Sequence, residues 1–227
     1  MTTADHSVRV VAFDVNETMF SLQRVGVAFG EAGVDPATVP LWFARLLRDG
    51  FALAAMGQHQ SFAALAAESL RALAPDLDDP AVQAVLGAFR ELDPHPDVEP
   101  ALRTLREAGV PAVTLTNGST EVVQAMLARA GLTSYVQRSF SVDEVQRWKP
   151  APEPYHWVAS QLGLDPGQVA LVASHPWDCA GARAAGLVAG WVNRAGGRWP
   201  AVFAPPDVTG PDLSAVVAGL LRPDRSR

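Results

Sequence analysis

A chain of 227 residues falls between one large domain and two small ones. With 48% hydrophobic and 19% charged residues it cannot be a disordered or fibrous chain and should bury a real core. Its 24 acidic residues against 18 basic ones, a formal net charge of -6, argue against a nucleic-acid backbone or an anionic membrane as the main partner. The single cysteine, Cys179, can make no intramolecular disulfide, so the fold does not need an oxidising compartment. Residues 1–6 lack the charged start and apolar run of a signal peptide. No apolar run reaches the roughly 18 residues of a membrane span, and a soluble, cytoplasmic protein is expected.

Taken in chain order, residues 8–13 form a short, mostly apolar and β-branched run that predicts a strand covered on both faces, ending at Asp14. From about residue 22 to residue 92 the periodicity is helical throughout. Leu41, Phe43, Leu46, Leu47 and Phe51 mark one segment and Phe62, Leu65 and Leu70 the next, with Asp-Pro and Pro-Asp pairs as punctuation. About seventy residues is far more than the dozen or so a crossover requires, so this reads as a helical insertion placed over the end of the first strand. A helix over residues 100–108, closed by Gly109, then leads to a strand at 110–116. Asn117 to Thr120 open the next helix, which ends near Gly131. A third strand at 169–173, a small-residue helix to Gly186 and a fourth strand at 187–192 repeat the pattern. The Pro-rich residues 200–211 read as a connector before a terminal helix at 213–221. Such alternation predicts an α/β fold built on a doubly wound parallel sheet, with its site beyond the carboxyl ends of the strands.

Four polar positions follow strands in chain order: Asp14, Thr116 with Asn117, Lys149, and Asp178. An ionised carboxylate at the tip of a buried strand must be paired or hydrogen-bonded, although Asp14 taken alone could merely cap a turn. With these residues in place, the chain resembles the haloacid dehalogenase superfamily over essentially its whole length. Asp14 through Thr18 is similar to its first motif, Thr116-Asn117-Gly118 to its second, Lys149-Pro150 to its third, and Ser174 through Asp178 to its fourth. Tyr155 after Lys149, Trp177 before Asp178, and Trp191 through Arg194 resemble the type II 2-haloacid dehalogenases. The resemblance implies a Rossmann-like core of residues 1–20 and 93–227, an all-helical cap of residues 21–92, and frequently a homodimer.

It also implies a hydrolase in which Asp14 attacks carbon and forms an ester that water then opens. Lys149 would hold the nucleophile ionised, Thr18, Thr116 and Asn117 would donate hydrogen bonds, and Asp178 would orient Lys149 and help activate water. The implied substrate is a small molecule, a short 2-halo carboxylic acid, with amides near residues 116–119 binding its carboxylate. Phosphatases of the superfamily carry a second aspartate where this chain has Asn16, and an amide cannot serve as their general acid. The fourth motif offers only Asp178 as an acidic ligand, a poor cage for Mg²⁺, so neither metal nor other cofactor is expected.

Phe43 stands where such dehalogenases place a halide-receiving arginine beside a tryptophan, here Trp42. Arg45 or Arg48 is the candidate substitute. Glu17 either faces the pocket, where it would suit a cationic amine and hence C–N ring opening of a small cyclic amino acid, or lies exposed at the cap hinge. His175 either bonds substrate or water, or caps its helix. Tyr155 either touches the site or packs its helix, and Trp177 is open in the same way. Ser174 completes the expected substrate contacts. His59, His95 and His156 show no metal-ligand spacing, and Cys179, without an organised base, reads as a buried helix residue.

Overall fold

The computed structural model describes residues 8–222; residues 1–6, on which the leader reading rests, lie outside them. β1 (Val10–Phe13) is buried along its whole length. Val11 and Phe13 enter one apolar cluster and Val10 and Ala12 the other, as alternate strand residues must when both faces are covered. The chain then makes a two-stranded antiparallel neck, β2 (Phe20–Ser21) against β3 (Asp93–Pro94).

Everything between those two strands is helical: α1 (Gln23–Glu31), α2 (Val39–Ala55), α3 (Phe62–Leu73) and α4 (Asp79–Gly87), with short 3-10 turns at Pro36–Thr38 and Ala88–Glu91. The starts follow side-chain chemistry. Ser61 accepts a hydrogen bond from the Ala64 amide and Asp78 from that of Ala81, which satisfies donors the helix itself cannot use. The four helices close around Phe29, Trp42, Leu46, Leu70, Val85 and Phe89, and the Trp42 indole donates to the Ala66 carbonyl. This bundle is held to the sheet at several points. The Trp148 indole donates to the Gln60 carbonyl and stacks on Phe62 at 6.0 Å, and the Arg147 guanidinium donates to the Ala54 carbonyl.

After the neck the chain alternates: α5 (Val98–Glu107), β4 (Ala112–Thr116), α6 (Thr120–Arg129), β5 (Val136–Ser141), α7 (Pro152–Leu162), β6 (Val169–Ala173), α8 (Pro176–Ala184), β7 (Val188–Val192), β8 (Val208–Gly210) and α9 (Leu213–Leu220). The sheet order is β5-β4-β1-β6-β7-β8 with every pair parallel. Helices α5, α6 and α9 supply apolar residues to the face that carries Val11 and Phe13, and α7 and α8 to the other. The winding reverses beside β1, so the crevice of this doubly wound sheet opens where β1, β4 and β6 end.

Two strands of the six-stranded sheet carried no sequence signal. β5 exposes Gln137 and Arg138, and β8 is three residues inside the Pro-rich stretch read as a connector. Both are edge strands, buried less and therefore less apolar than the central ones. No helix among the described residues is long and apolar enough to cross a membrane.

Close approach of α8 to the loop before α7 brings the fourth motif to the third. Gly181 makes it possible: a Cβ there would lie 2.6 Å from Pro150 Cβ, 2.8 Å from the Tyr155 hydroxyl and 2.9 Å from the Pro150 carbonyl. Gly181→Ala is therefore expected to lose about 1–3 kcal/mol in urea denaturation through overpacking. Gly87→Ala, where a Cβ would meet nothing within 4 Å, should gain up to about 1 kcal/mol.

Candidate active site

At the mouth of the crevice one ammonium group joins two carboxylates. Lys149 Nζ donates to Asp14 Oδ1 at 2.9 Å, to Asp178 Oδ2 at 2.7 Å and to the Leu115 carbonyl at 2.9 Å. A lysine has three donors, and all three are spent. The remaining carboxylate oxygens are also taken. Thr18 Oγ1 donates to Asp14 Oδ2 at 2.7 Å, and the Tyr155 hydroxyl to Asp178 Oδ1 at 2.6 Å. Lys149 and Asp178 are wholly buried and Asp14 nearly so.

The two carboxylates are tuned in opposite directions. Burial pushes Asp14 up, but the Lys149 charge, His175 and the hydrogen bonds from Lys149 and Thr18 outweigh it and hold the group below the ordinary aspartate value. Asp178 is pushed above that value by burial and by the charge of Asp14, with Lys149 offsetting only part. Burial acts against the ammonium of Lys149 too, yet its two acidic partners raise its pKa and keep it charged. Asp14 is therefore the more acidic of the two. The Lys149 ammonium stands between the two carboxylates, where a cation bridging them would have to lie. Among the described residues no three His, Cys, Asp or Glu side chains gather as metal ligands.

A frame of hydrogen bonds fixes the loops that carry these groups. Asn117 Oδ1 accepts from the Lys149 amide, Thr116 Oγ1 accepts from the Gly118 amide, and the Ser174 amide donates to Thr18 Oγ1, with the Ser174 hydroxyl 3.1 Å from the same oxygen. Arg194, absent from the sequence-based site residues, donates to the Thr18 carbonyl and pairs with Asp97. It follows the carboxyl end of β7, the same strand-end signal that singled out the other four positions. Asn16 and Thr116 line a cavity of about 100 Å³ together with Gly118 and Ser119 at the start of α6 and apolar groups including Phe62 and Met126.

Several expected contacts are corrected. Glu17 does not face the pocket: its backbone lies in the left-handed region (φ 63°), and its carboxylate accepts from the Leu22 amide at the hinge before α1. Arg45 stands two positions from Phe43, about 200° around α2, so it cannot share that residue's pocket. Tyr155 is fully buried behind Asp178, which makes it a support of the aspartate rather than a substrate contact.

Phe43 itself reaches down from α2 to His175, with ring centroids 6.1 Å apart. His175 stacks on Trp177 at 5.3 Å, and Trp177 meets Phe51, two turns further along α2, at 4.8 Å. His59 pairs with Asp143, and Cys179 is buried, where its thiol is pushed well above the ordinary value by burial and the nearby Asp178 charge.

The fold and this site define a haloacid dehalogenase-like hydrolase: the model of that family matches residues 8–186, and the chain belongs to the family. An (S)-2-haloacid dehalogenase of Pseudomonas sp. (strain YL) is 31% identical over 216 residues, which cover 92% of this chain and 93% of the relative. Among solved structures, an L-2-haloacid dehalogenase superposes with a TM-score of 0.89 at 26% identity, covering 94% of this chain and 99% of the other. The L-2-haloacid dehalogenase from Xanthobacter autotrophicus with chloropropionic acid covalently bound superposes with a TM-score of 0.84 at 26% identity, covering 93% and 97%.

Removing the shared ammonium leaves two adjacent buried carboxylates without a counter-charge. Lys149→Ala is expected to cost about 3–5 kcal/mol in chemical denaturation at neutral pH, the range for breaking a buried ion pair from one side.

Proposed function

We propose that the protein hydrolyses the carbon–halogen bond of a short 2-haloacid, with Asp14 as nucleophile and without a metal ion. The observation that carries this reading is the Lys149 ammonium held between Asp14 and Asp178, which supplies the positive charge at the nucleophile and stands where a metal bridging the two carboxylates would lie. Asp14 displaces the halide from C2 and becomes an ester. Water then adds to the aspartyl carbonyl and releases the 2-hydroxyacid. The relatives named 2-haloacid dehalogenases, and the one described with chloropropionic acid covalently bound, support the substrate class and the covalent course.

Thr18 orients the nucleophile. Asn117, whose carbonyl oxygen is turned to the Lys149 amide, keeps its NH₂ for the substrate. The start of α6, where amide donors and the helix dipole favour an anion, receives the substrate carboxylate. The apolar part of the cavity then takes the substituent on C2. Residues 21–92 act as a cap domain over the core of residues 1–20 and 93–227, closing on the bound acid through α2. Ring opening of a cyclic amino acid loses its support, because Glu17, the group that would bind the amine, is turned to the hinge. Phosphate ester cleavage lacks its general acid at Asn16.

Halide release from 2-chloropropionate, insensitive to EDTA, is the expected activity. A single turnover in H₂¹⁸O should leave label in the Asp14 peptide by mass spectrometry, and Asp14→Asn should reduce halide release to background. Phosphate release from an aryl phosphate that vanishes with EDTA would overturn the reading.

A further inference from the structure

The cavity beside the nucleophile has a volume of about 100 Å³, and Asp14, Lys149, His175 and Asp178 are not among the residues that line it. It is a side chamber rather than the reaction centre. Asn16, two residues after the aspartate, and Thr116, at the end of the strand beside β1, mark the part of it nearest to Asp14. From there the chamber follows α6. Ser119, Val122, Val123 and Met126 line it, positions that share one face of a helix over roughly 10 Å of its length.

The far part of the chamber is hydrocarbon. Val122, Val123 and Met126 line it together with Phe62, Leu86 and Phe89 of the helical insertion, and Val123, Met126 and Phe89 are almost wholly buried. Polar groups of the lining are turned to partners of their own. Thr116 Oγ1 accepts from the Gly118 amide, the Ser119 hydroxyl from the Val122 amide and the Ser61 hydroxyl from the Ala64 amide, and the Asp143 carboxylate pairs with His59. A chamber walled in this way offers ordered water few partners and favours an apolar occupant.

We infer that this chamber selects 2-haloacids whose C2 carries an unbranched chain of about four carbons, with Val122 and Met126 as the residues that set its length. The inference rests on the dehalogenase activity proposed above. The size follows from volume: an apolar cavity of about 150 Å³ admits a six-carbon ring, so one of about 100 Å³ admits about four carbons and excludes the ring. The geometry agrees. With the substrate carboxylate at the start of α6 and C2 at Asp14, the substituent on C2 has the chamber beside it. Met126, seven residues past Ser119, stands at the far end, where its unbranched side chain adapts to the tip of the bound chain.

The test is a chain-length series of 2-bromoacids followed by bromide release. For the unmutated enzyme kcat/KM should rise roughly fourfold with each carbon added from 2-bromopropionate through 2-bromohexanoate, the gain from burying one methylene. It should fall at 2-bromooctanoate, whose two further carbons exceed the chamber. Val122→Phe puts a ring into the chamber from a partly buried position. It should bring the ratio of kcat/KM for 2-bromohexanoate over 2-bromopropionate from roughly 60 to one or below. Met126→Ala lengthens the chamber and should move the maximum to a longer acid.

Each variant is read as a ratio between substrates on one preparation, so a loss of folded protein cancels, and the series on the unmutated enzyme depends on no variant at all. A series that is flat or falls from 2-bromopropionate onward would overturn the inference while leaving dehalogenation standing. So would a preference for 2-bromohexanoate that Val122→Phe and Met126→Ala both leave unchanged, because the chain would then lie elsewhere. Bromide release from none of these acids would overturn the dehalogenase reading and this inference together.

Discussion

A lysine ammonium buried between two aspartates is the interaction on which the rest of the structure depends. Placing three charged groups where water is excluded costs several kcal/mol for each ion, and only close pairing with full hydrogen bonding returns it. The protein meets that condition with hydrogen-bonding groups from four separate places in the chain: the donors Thr18 in the neck loop, Lys149 after β5 and Tyr155 on α7, and the Leu115 carbonyl of β4 as a third acceptor for the ammonium. The central position of β1, with β4 on one side and β6 on the other, is what allows groups so distant in sequence to converge.

The same pairing divides labour between the two acids. Asp14, next to Lys149, His175 and Thr18, stays ionised at the open side of the site, while Asp178 is sealed behind Lys149 and Tyr155. His175, with 19% of its side chain exposed, stands on the open side beside Asp14.

The helical insertion is tied to the chemistry by aromatic side chains rather than by charge. Phe43 and Phe51, on one face of α2, rest on His175 and Trp177 of the fourth motif, and Trp148, adjacent to the buried lysine, is bonded and stacked to the start of α3. A cap that carried a cation at Phe43 would place charge over the site. This one places a ring there, against His175.

Strand and helix periods are local, so the sequence alone identified the central strands and the long helical insertion, and it singled out Asp14, Thr116, Lys149 and Asp178 as polar positions after or between such elements. Edge strands β5 and β8 escaped it because a strand paired on one side needs little apolar surface. Orientation was decided only by the tertiary structure. Whether Glu17 turned to pocket or hinge depended on a left-handed backbone at one residue. Whether Tyr155 met Asp178 depended on Gly181 letting α8 approach, and whether Arg45 or Phe43 faced the site depended on the rotation of α2 about its axis. Which oxygen each donor occupies, and that a histidine stands beside the nucleophile, follow from packing between residues more than a hundred positions apart, as between Asp14 and Lys149. No local period encodes such contacts.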